Sequence, residues 1–391
     1  MTDQINTPEL RFPNYKDSWF SYKLNDISER VTRKNKNLES QRPLTISGQL
    51  GLIDQIEYFN KSVSSKNLTG YTLIKKGEFA YNKSYSNGYP LGAIKKLERY
   101  DLGILSSLYI CFSFNKNIDK NFMKNYFEST KWYREVANIA VEGARNHGLL
   151  NIPVNDFFNI NINLPIQYEQ EKIGNFFSKL DQQIELEEKK LELLEQQKRG
   201  YMQKIFSQEL RFKDENGQYY TVSVWESKKL GELASITTGS LDANAMVPNG
   251  KYKFFTCARE TYEINTYAFD TEALLISGNG ANVGYIHYYQ GKFNAYQRTY
   301  VLDKFNANII YLKYYLEKYL LRRIYSEKRD GNTPYITRNT LYDMEIMIPS
   351  LEEQEKIGIF LERLDILREK QSNKIDSLKK RKKGLLQKMF V

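Results

Sequence analysis

The sequence predicts a mixed α/β (α+β) chain in which two globular domains are separated by two long helices. The helices are expected to form an antiparallel coiled coil, giving a pseudo-twofold internal repeat. Three observations carry this expectation. Pro165–Phe206 and Pro349–Phe390 align without a gap at an offset of 184, with 18 identities in 42 positions. Both copies have a helical heptad pattern. The segments between them are strand-like and do not align with one another. The resulting order is variable–shared–variable–shared, with boundaries at 1–163, 164–208, 209–348 and 349–391.

The chain has 391 residues, enough for two or three domains with a sizeable core. It carries 57 Lys and Arg against 47 Asp and Glu, a formal net charge of +10. Residues 1–208 hold 29 basic and 24 acidic groups, and residues 209–391 hold 28 and 23. The excess favours a polyanionic partner met by both halves, against the plainer alternative of a solvated basic surface. Two cysteines, Cys111 and Cys257, cannot build a disulfide framework, so a reducing compartment is expected. His147 and His287 have no further ligands at metal spacing, so no metal site is expected. No apolar run reaches the length of a membrane span, and the start, MTDQINTPEL, lacks the apolar stretch of a signal peptide. The expected location is cytoplasmic.

Each half opens on a matching entry motif. Glu9-Leu10-Arg11-Phe12 corresponds to Glu209-Leu210-Arg211-Phe212, and Trp19-x-Ser21-x-Lys23-Leu24 to Trp225-x-Ser227-x-Lys229-Leu230. The second entry is six residues longer. Strand-like runs with frequent turn signals come next: Tyr71–Ile74, Glu78–Tyr81 and Ile104–Phe112 in the first domain, and Lys253–Thr256, Ala273–Ile276, Gly284–Tyr289 and Arg298–Leu302 in the second. One amphipathic helical stretch comes late in each, Asp119–Val136 and Ile309–Ile324.

In the shared segments the apolar positions step by four and three. The first seam is Ile173, Phe177, Leu180, Ile184, Glu187, Leu191, Leu194, Lys198, Tyr201 and Ile205. The second is Ile357, Leu361, Leu364, Arg368, Gln371, Ile375, Leu378, Lys382, Leu385 and Met389. Such a seam marks helices packing at a shallow angle. Pro165 and Pro349 precede the two helices, as suits an N-terminus. Two such helices in one chain can pair with each other; the alternative is that each packs only on its own domain. The polar seam positions Glu187, Lys198, Arg368, Gln371 and Lys382 predict incomplete burial there.

Polar loops recur at similar places in the two variable segments. In the first they contain Lys83, Ser84 and Asn87 after a strand, Ser106 in the next strand, and Arg145 and Asn146 near the end. In the second they contain Ser277, Asn279 and Asn282, then Gln297 and Arg298, then Asn332. Arg or Lys suits guanine, Asn or Gln adenine, and Ser or Thr either. These twelve residues are the candidate DNA-binding set, although Asn, Ser and Gly are also ordinary turn formers.

No catalytic pattern accompanies them. Gly278-x-Gly280-x-x-x-Gly284 runs into a strand-like segment, whereas a phosphate cradle needs a helix N-terminus there. There is no P-loop, no Asn- or Asp-Pro-Pro-Tyr tetrapeptide of amino-methyltransferases, no nucleophile elbow and no H-E-x-x-H. The sequence offers recognition without catalysis.

The alternation of two unlike domains with two like helices, the entry motif Leu-Arg-Phe…Trp-x-Ser-x-Lys-Leu and the helix opening Pro…Glu-Gln-x-x-Ile resemble the specificity subunit of type I restriction–modification systems over essentially the whole chain. The resemblance implies two target-recognition domains that read the halves of a bipartite DNA target across a fixed gap. It implies that the helices are central and distal repeats acting as a ruler, docking two modification subunits. Those subunits would bind S-adenosylmethionine and methylate adenine at N6. Restriction subunits would add ATP- and Mg-dependent translocation and cleavage, leaving no cofactor and no catalytic residue on this chain. It also implies that the short N-terminal segment lies near the end of the distal helix. The alternative readings are a stand-alone sequence-specific DNA-binding scaffold or repressor with two unlike readers, and the detached recognition half of a fused restriction–methylation enzyme.

Overall fold

Two entry segments, each ending in a buried tryptophan (Trp19 and Trp225), anchor the domains that they open. The structure is a computed structural model and describes residues 6–61, 64–85, 88–140, 150–214, 216–220, 224–327 and 334–391. Asn87, Arg145, Asn146, His147 and Asn332 lie outside the described residues. The chain divides into two compact units, Met1–Glu188 with Asn373–Val391, and Lys189–Ser372.

The first unit contains β1 (Phe20–Lys23), α1 (Leu24–Ile27), β2 (Ser28–Arg30), β3 (Leu44–Ser47), β4 (Gly51–Asp54), α2 (Gln55–Phe59), β5 (Thr72–Lys75), β6 (Phe79–Asn82), β7 (Ala93–Lys96), β8 (Leu102–Leu105) and β9 (Tyr109–Phe114). Then come α3 (Lys120–Glu128), α4 (Tyr133–Ile139), α5 (Val154–Phe158), β10 (Asn161–Leu164) and the start of α6 (Gln167–Phe206). β1 pairs with β10, and an antiparallel sheet runs β2-β9-β6-β7. The pairs β3–β4 and β5–β8 are tied in by bridges Lys34↔Thr72 and Pro43↔Ile104.

Alternation along the strands sorts two cores. Phe79, Tyr81, Ile110, Phe112 and Phe114 face α3, α4, α5 and α6, while the intervening Ala80 and Cys111 face Val31, Leu44, Ile74 and Leu105. The large core is aromatic, with Phe79 edge-on to Phe114 and Tyr81 stacked on Phe157.

The second unit repeats the plan. It contains β11 (Glu226–Lys229), α7 (Leu230–Leu233), β12 (Ser235–Thr238), β13 (Tyr252–Phe255), β14 (Tyr262–Ile264), β15 (Phe269–Ser277), β16 (Ile286–Ala295) and β17 (Thr299–Asp303). After these come α8 (Ile309–Glu327), α9 (Arg338–Tyr342), β18 (Glu345–Ile348) and the start of α10 (Leu351–Lys388). β11 pairs with β18 as β1 does with β10. One sheet runs β12-β17-β15-β16-β13-β14, with β13 parallel to β16 and the other pairs antiparallel. A bridge Leu241↔Tyr296 joins the segment after edge strand β12 to the segment after inner strand β16, so the sheet curls on itself. Again two cores alternate: Leu274 and Ile276 face α8, while Ala273 and Leu275 face Phe255, Phe293 and Val301.

The shared motif of the two helices has a local explanation. Glu169 is fully buried and takes bonds from Nε and Nη2 of Arg11, both at 2.7 Å; Glu353 takes the same pair from Arg211 at 2.8 and 2.9 Å. The next residue, Gln170, donates to the Pro165 carbonyl and accepts from Asp119 N; Gln354 does the same with Pro349 and Asn308. Asp119 and Asn308 in turn cap α3 and α8, accepting from Phe122 N and Tyr311 N. Gly174 lies under that cap, where a Cβ would overlap Asp119. Glu-Gln-Glu-Lys-Ile-Gly is therefore the socket holding entry segment, helix cap and long helix together.

The entry segments dock equivalently. Leu10 N donates to Lys388 O and Leu210 N to Lys204 O, each at 2.9 Å. Residues 9–12 thus lie at the end of α10 as 209–212 lie at the end of α6, as expected. In the longer second entry Asp214 accepts from Asn216 N and Gln218 N beside a Lys213↔Tyr219 bridge.

α6 has 40 residues and α10 has 38. They are antiparallel within each unit. In the first unit Asp181 meets Lys382, Glu187 meets Lys374 and Glu188 meets Lys379, at 2.6–2.8 Å. In the second, Lys198 meets Asp365 at 2.8 Å and Tyr201 meets Phe360 edge-on. The polar seam positions differ among themselves. Not every seam position is deeply buried, but Glu187 and Lys198 are, because each has an ion partner on α10. Arg368 does stand largely exposed.

Two expectations need correction. Asp119–Val136 is two helices, broken after Glu128, where Ser129 adopts an extended backbone and its hydroxyl bonds back to Tyr126 O. Ile104–Phe112 is two strands, because Ser106–Leu108 form a turn in which Tyr109 N donates to Ser106 O.

Candidate nucleic-acid interface

In the second unit three turns converge: Thr256–Arg259 after β13, Gly278–Tyr285 between β15 and β16, and Tyr296–Arg298 before β17. Gly280 and Gly284 take φ of +79° and +80°, which allows the middle turn to close, and the chain then enters β16 rather than a helix. No phosphate cradle is formed.

Side chains lock the three turns to one another. Asn282 Nδ2 donates to Cys257 O at 3.1 Å, and His287 Nε2 meets Ala258 O at 3.1 Å. The Cys257 thiol donates to Arg298 O at 3.4 Å, and Gly278 N donates to the same carbonyl at 2.9 Å. Gln297 Nε2 donates to Asp242 Oδ1 at 3.0 Å, holding the loop after β12 to the group. Tyr335 bridges to Asn279. Burial lowers the pKa of His287, and its bond to Ala258 O offsets this only in part, so the imidazole favours its neutral form.

The structure therefore brings Asn279, Asn282, Gln297 and Arg298 together, but in different states. Asn282 and Gln297 already hold protein acceptors. Arg298 is exposed, with no partner for its guanidinium among the described residues, and Asn279 is half-exposed. Ser277 is different. It closes β15 at 0% exposure, and its hydroxyl has no hydrogen-bond partner among the described residues. Sheet alternation turns it inward, so it presents nothing to a surface ligand.

Sequence reasoning missed Arg259, an exposed residue whose guanidinium lies 5.4 Å from the centre of the Tyr285 ring. The signal was present: Arg259 comes just after a strand end, as several of the candidate residues do.

In the first unit the equivalent turns lie between β6 and β7 and between β8 and β9. Lys83 is half-buried, its backbone O takes Leu150 N at 2.9 Å, and its ammonium lies 3.5 Å from Ile152 O. Ser84 N bonds to Asn82 Oδ1 at 3.1 Å, and Tyr85 beside it is strongly exposed. Ser106 opens the other turn. Tyr81 and Tyr89 anchor the first loop through Leu91 O and Gly48 O, both at 2.7 Å.

Among the described residues no group of His, Cys, Asp and Glu could hold a metal ion, and no helix is long and apolar enough to cross a membrane.

The two units share one scaffold and carry unlike loop sets at equivalent sheet ends. A family model for the type I restriction modification DNA specificity domain matches residues 223–380. That match spans 158 of the 391 residues, so this part of the chain is similar to the specificity domain of that family. Over 143 residues it is 43% identical to the type I restriction enzyme EcoDI specificity subunit of Escherichia coli; the match covers 37% of this chain and 31% of that curated relative's length. The fold matches the type I restriction–modification S subunit from M. genitalium with a TM-score of 0.62 and 18% identity, covering 98% of this chain and 99% of that one. A chain from a structure on complex assembly and conformational transition of the type I R-M system matches at a TM-score of 0.53 and 19% identity, covering 95% and 97%. The chain has the S-subunit fold.

Proposed function

We propose that this chain is the non-catalytic DNA-recognition subunit of a type I restriction–modification complex. Residues 1–163 and 209–348 act as target-recognition domains, each reading one half of a bipartite target. Segments 164–208 and 349–391 act as the central and distal repeat helices, fixing the gap between the halves and docking modification subunits, two by the symmetry of the repeat. Those subunits bind S-adenosylmethionine and methylate adenine at N6; restriction subunits, where present, use ATP and Mg.

The observation that carries this reading is the coincidence of a repeated scaffold with variable tips. The Arg–Glu–Gln–Gly socket is the same in both units, while the loops at the equivalent sheet ends share no pattern. A spacing device with interchangeable readers has that division. The net +5 of each half suits contact with phosphates from both. Helices of 40 and 38 residues amount to about 60 Å at 1.5 Å per residue, a length scale of several DNA half-turns.

The test is the methylation pattern of the host genome with and without this chain. Loss of N6-methyladenine from one split motif with an unspecified gap supports the reading; persistence of every methylated motif refutes it.

A further inference from the structure

We infer that Arg259 and Arg298 are the guanine-reading residues of the second unit, an assignment that rests on the DNA-recognition reading above and goes beyond it by naming the readers and their base. Both are exposed and belong to the three locked turns. The Arg259 segment is held by its neighbours' bonds at Cys257 O and Ala258 O, and by the Ala258 N bond to Thr256 Oγ1 at 3.2 Å. The backbone of Arg298 is held by two donors on its own carbonyl, from Gly278 N and the Cys257 thiol. The two arginines are thus braced through one residue, Cys257, which touches the turns of both.

The types of the surrounding groups decide what these arginines do. Asn282 and Gln297, two of the three amides on the platform, each hold a protein acceptor and serve as braces. That leaves the half-exposed Asn279 amide and the two exposed guanidinium forks, and the forks are the groups that suit a guanine edge. A contact to phosphate needs only charge, which lysines supply at any angle. Arg259 also lies over the Tyr285 ring, and this cation–π contact helps to hold the guanidinium at the platform. A fork held in place suits a planar pair of acceptors, and O6 and N7 of guanine in the major groove form that pair. Asn282 and His287 are positioning residues, acting on the base through the loop of Arg259.

The experiment is selection of a randomised duplex library by the complete complex, assembled with its modification subunits from wild-type chain or from R259K, R259A, R298K and R298A. Lysine keeps the charge and loses the fork. Each lysine variant is expected to lose preference for guanine at one position of one half-sequence by about ten- to a hundredfold, with the other half-sequence and the gap unchanged. The affected positions should differ between the two arginines. Both side chains are exposed, so thermal unfolding should be unchanged and serves as the folding control. If the lysine variants select the wild-type motif, while the alanine variants weaken all sequences alike and lower the salt slope by about one, the arginines are phosphate contacts and the assignment is overturned. A wild-type complex that enriches no split motif overturns the recognition reading itself, and this assignment with it.

Discussion

Replacing Arg11 by leucine should destabilise the first unit far more than a surface arginine would. Glu169 is fully buried and receives both of its Arg11 bonds at 2.7 Å. Without the guanidinium a carboxylate is left in the core with no counter-charge, a loss of about 3–5 kcal/mol, or roughly two to three and a half decades in the folding constant. Removing both partners, as Arg11→Leu with Glu169→Leu, leaves no buried charge and should restore much of that loss. The second unit offers an internal comparison. Glu353 also accepts from Trp225 Nε1 at 3.3 Å, whereas Trp19 Nε1 has no partner among the described residues. Arg211→Leu therefore leaves its carboxylate one donor and should lie at the lower end of the range. Urea unfolding followed by tryptophan fluorescence measures each variant, with Trp19 in the affected core. An Arg11→Leu chain within about 0.5 kcal/mol of wild type, or a double variant less stable than the single one, would refute the reasoning.

Gly174→Ala should be destabilising by about 1–3 kcal/mol, because the added Cβ overlaps Asp119 and lies 2.9 Å from Phe122 N at a capped helix start. Gly200→Ala, on the same helix with nothing within 4 Å, should instead stabilise by about 0.5–1 kcal/mol; thermal melts of the pair check both signs. Burial alone would raise the pKa of Asp365, but the hydrogen bond and charge of Lys198, with Tyr314 and Lys313, outweigh it and hold the carboxyl below its ordinary value. A carboxyl depressed in the folded state adds stability above its unfolded pKa of about 3.9, and that stability is lost as pH falls through the folded value. Lys198→Met should therefore shrink the loss of stability seen below about pH 4 in acid titrations, while lowering stability at neutral pH.

The long helices were readable because their demands are local and repeated. The socket residues Glu169, Gln170 and Gly174 recur as Glu353, Gln354 and Gly358 wherever an entry arginine and a helix cap must meet a helix start. The strands of the variable segments were readable in part: the β-like run Glu78–Tyr81 overlaps the strand Phe79–Asn82, and Ala273–Ile276 lies inside the longer strand Phe269–Ser277. Long-range pairing was not. Nothing local announces that Leu241 meets Tyr296 and curls the second sheet, or that Glu187 is buried because Lys374 reaches it. The candidate site suffered most from this. Residue type identified Asn282, Gln297 and Ser277 as able to touch a base. Their actual states are set by Cys257 O, Asp242 and the inward face of β15, which lie 25 and 55 residues away in the first two cases. Arg259 carried the same strand-end signal, but only the closed turns show its segment braced at Cys257 and Ala258.

The central claim is that the paired helices set the distance between two DNA readers. Matched seven-residue insertions after Glu188 in α6 and after Ser372 in α10 keep the heptad register and lengthen each helix by about 10 Å, close to three base pairs. Methylation-motif sequencing of cells carrying that chain measures the outcome directly. Unchanged half-sequences separated by a gap about three base pairs longer are expected; the original gap, kept intact, would contradict the account.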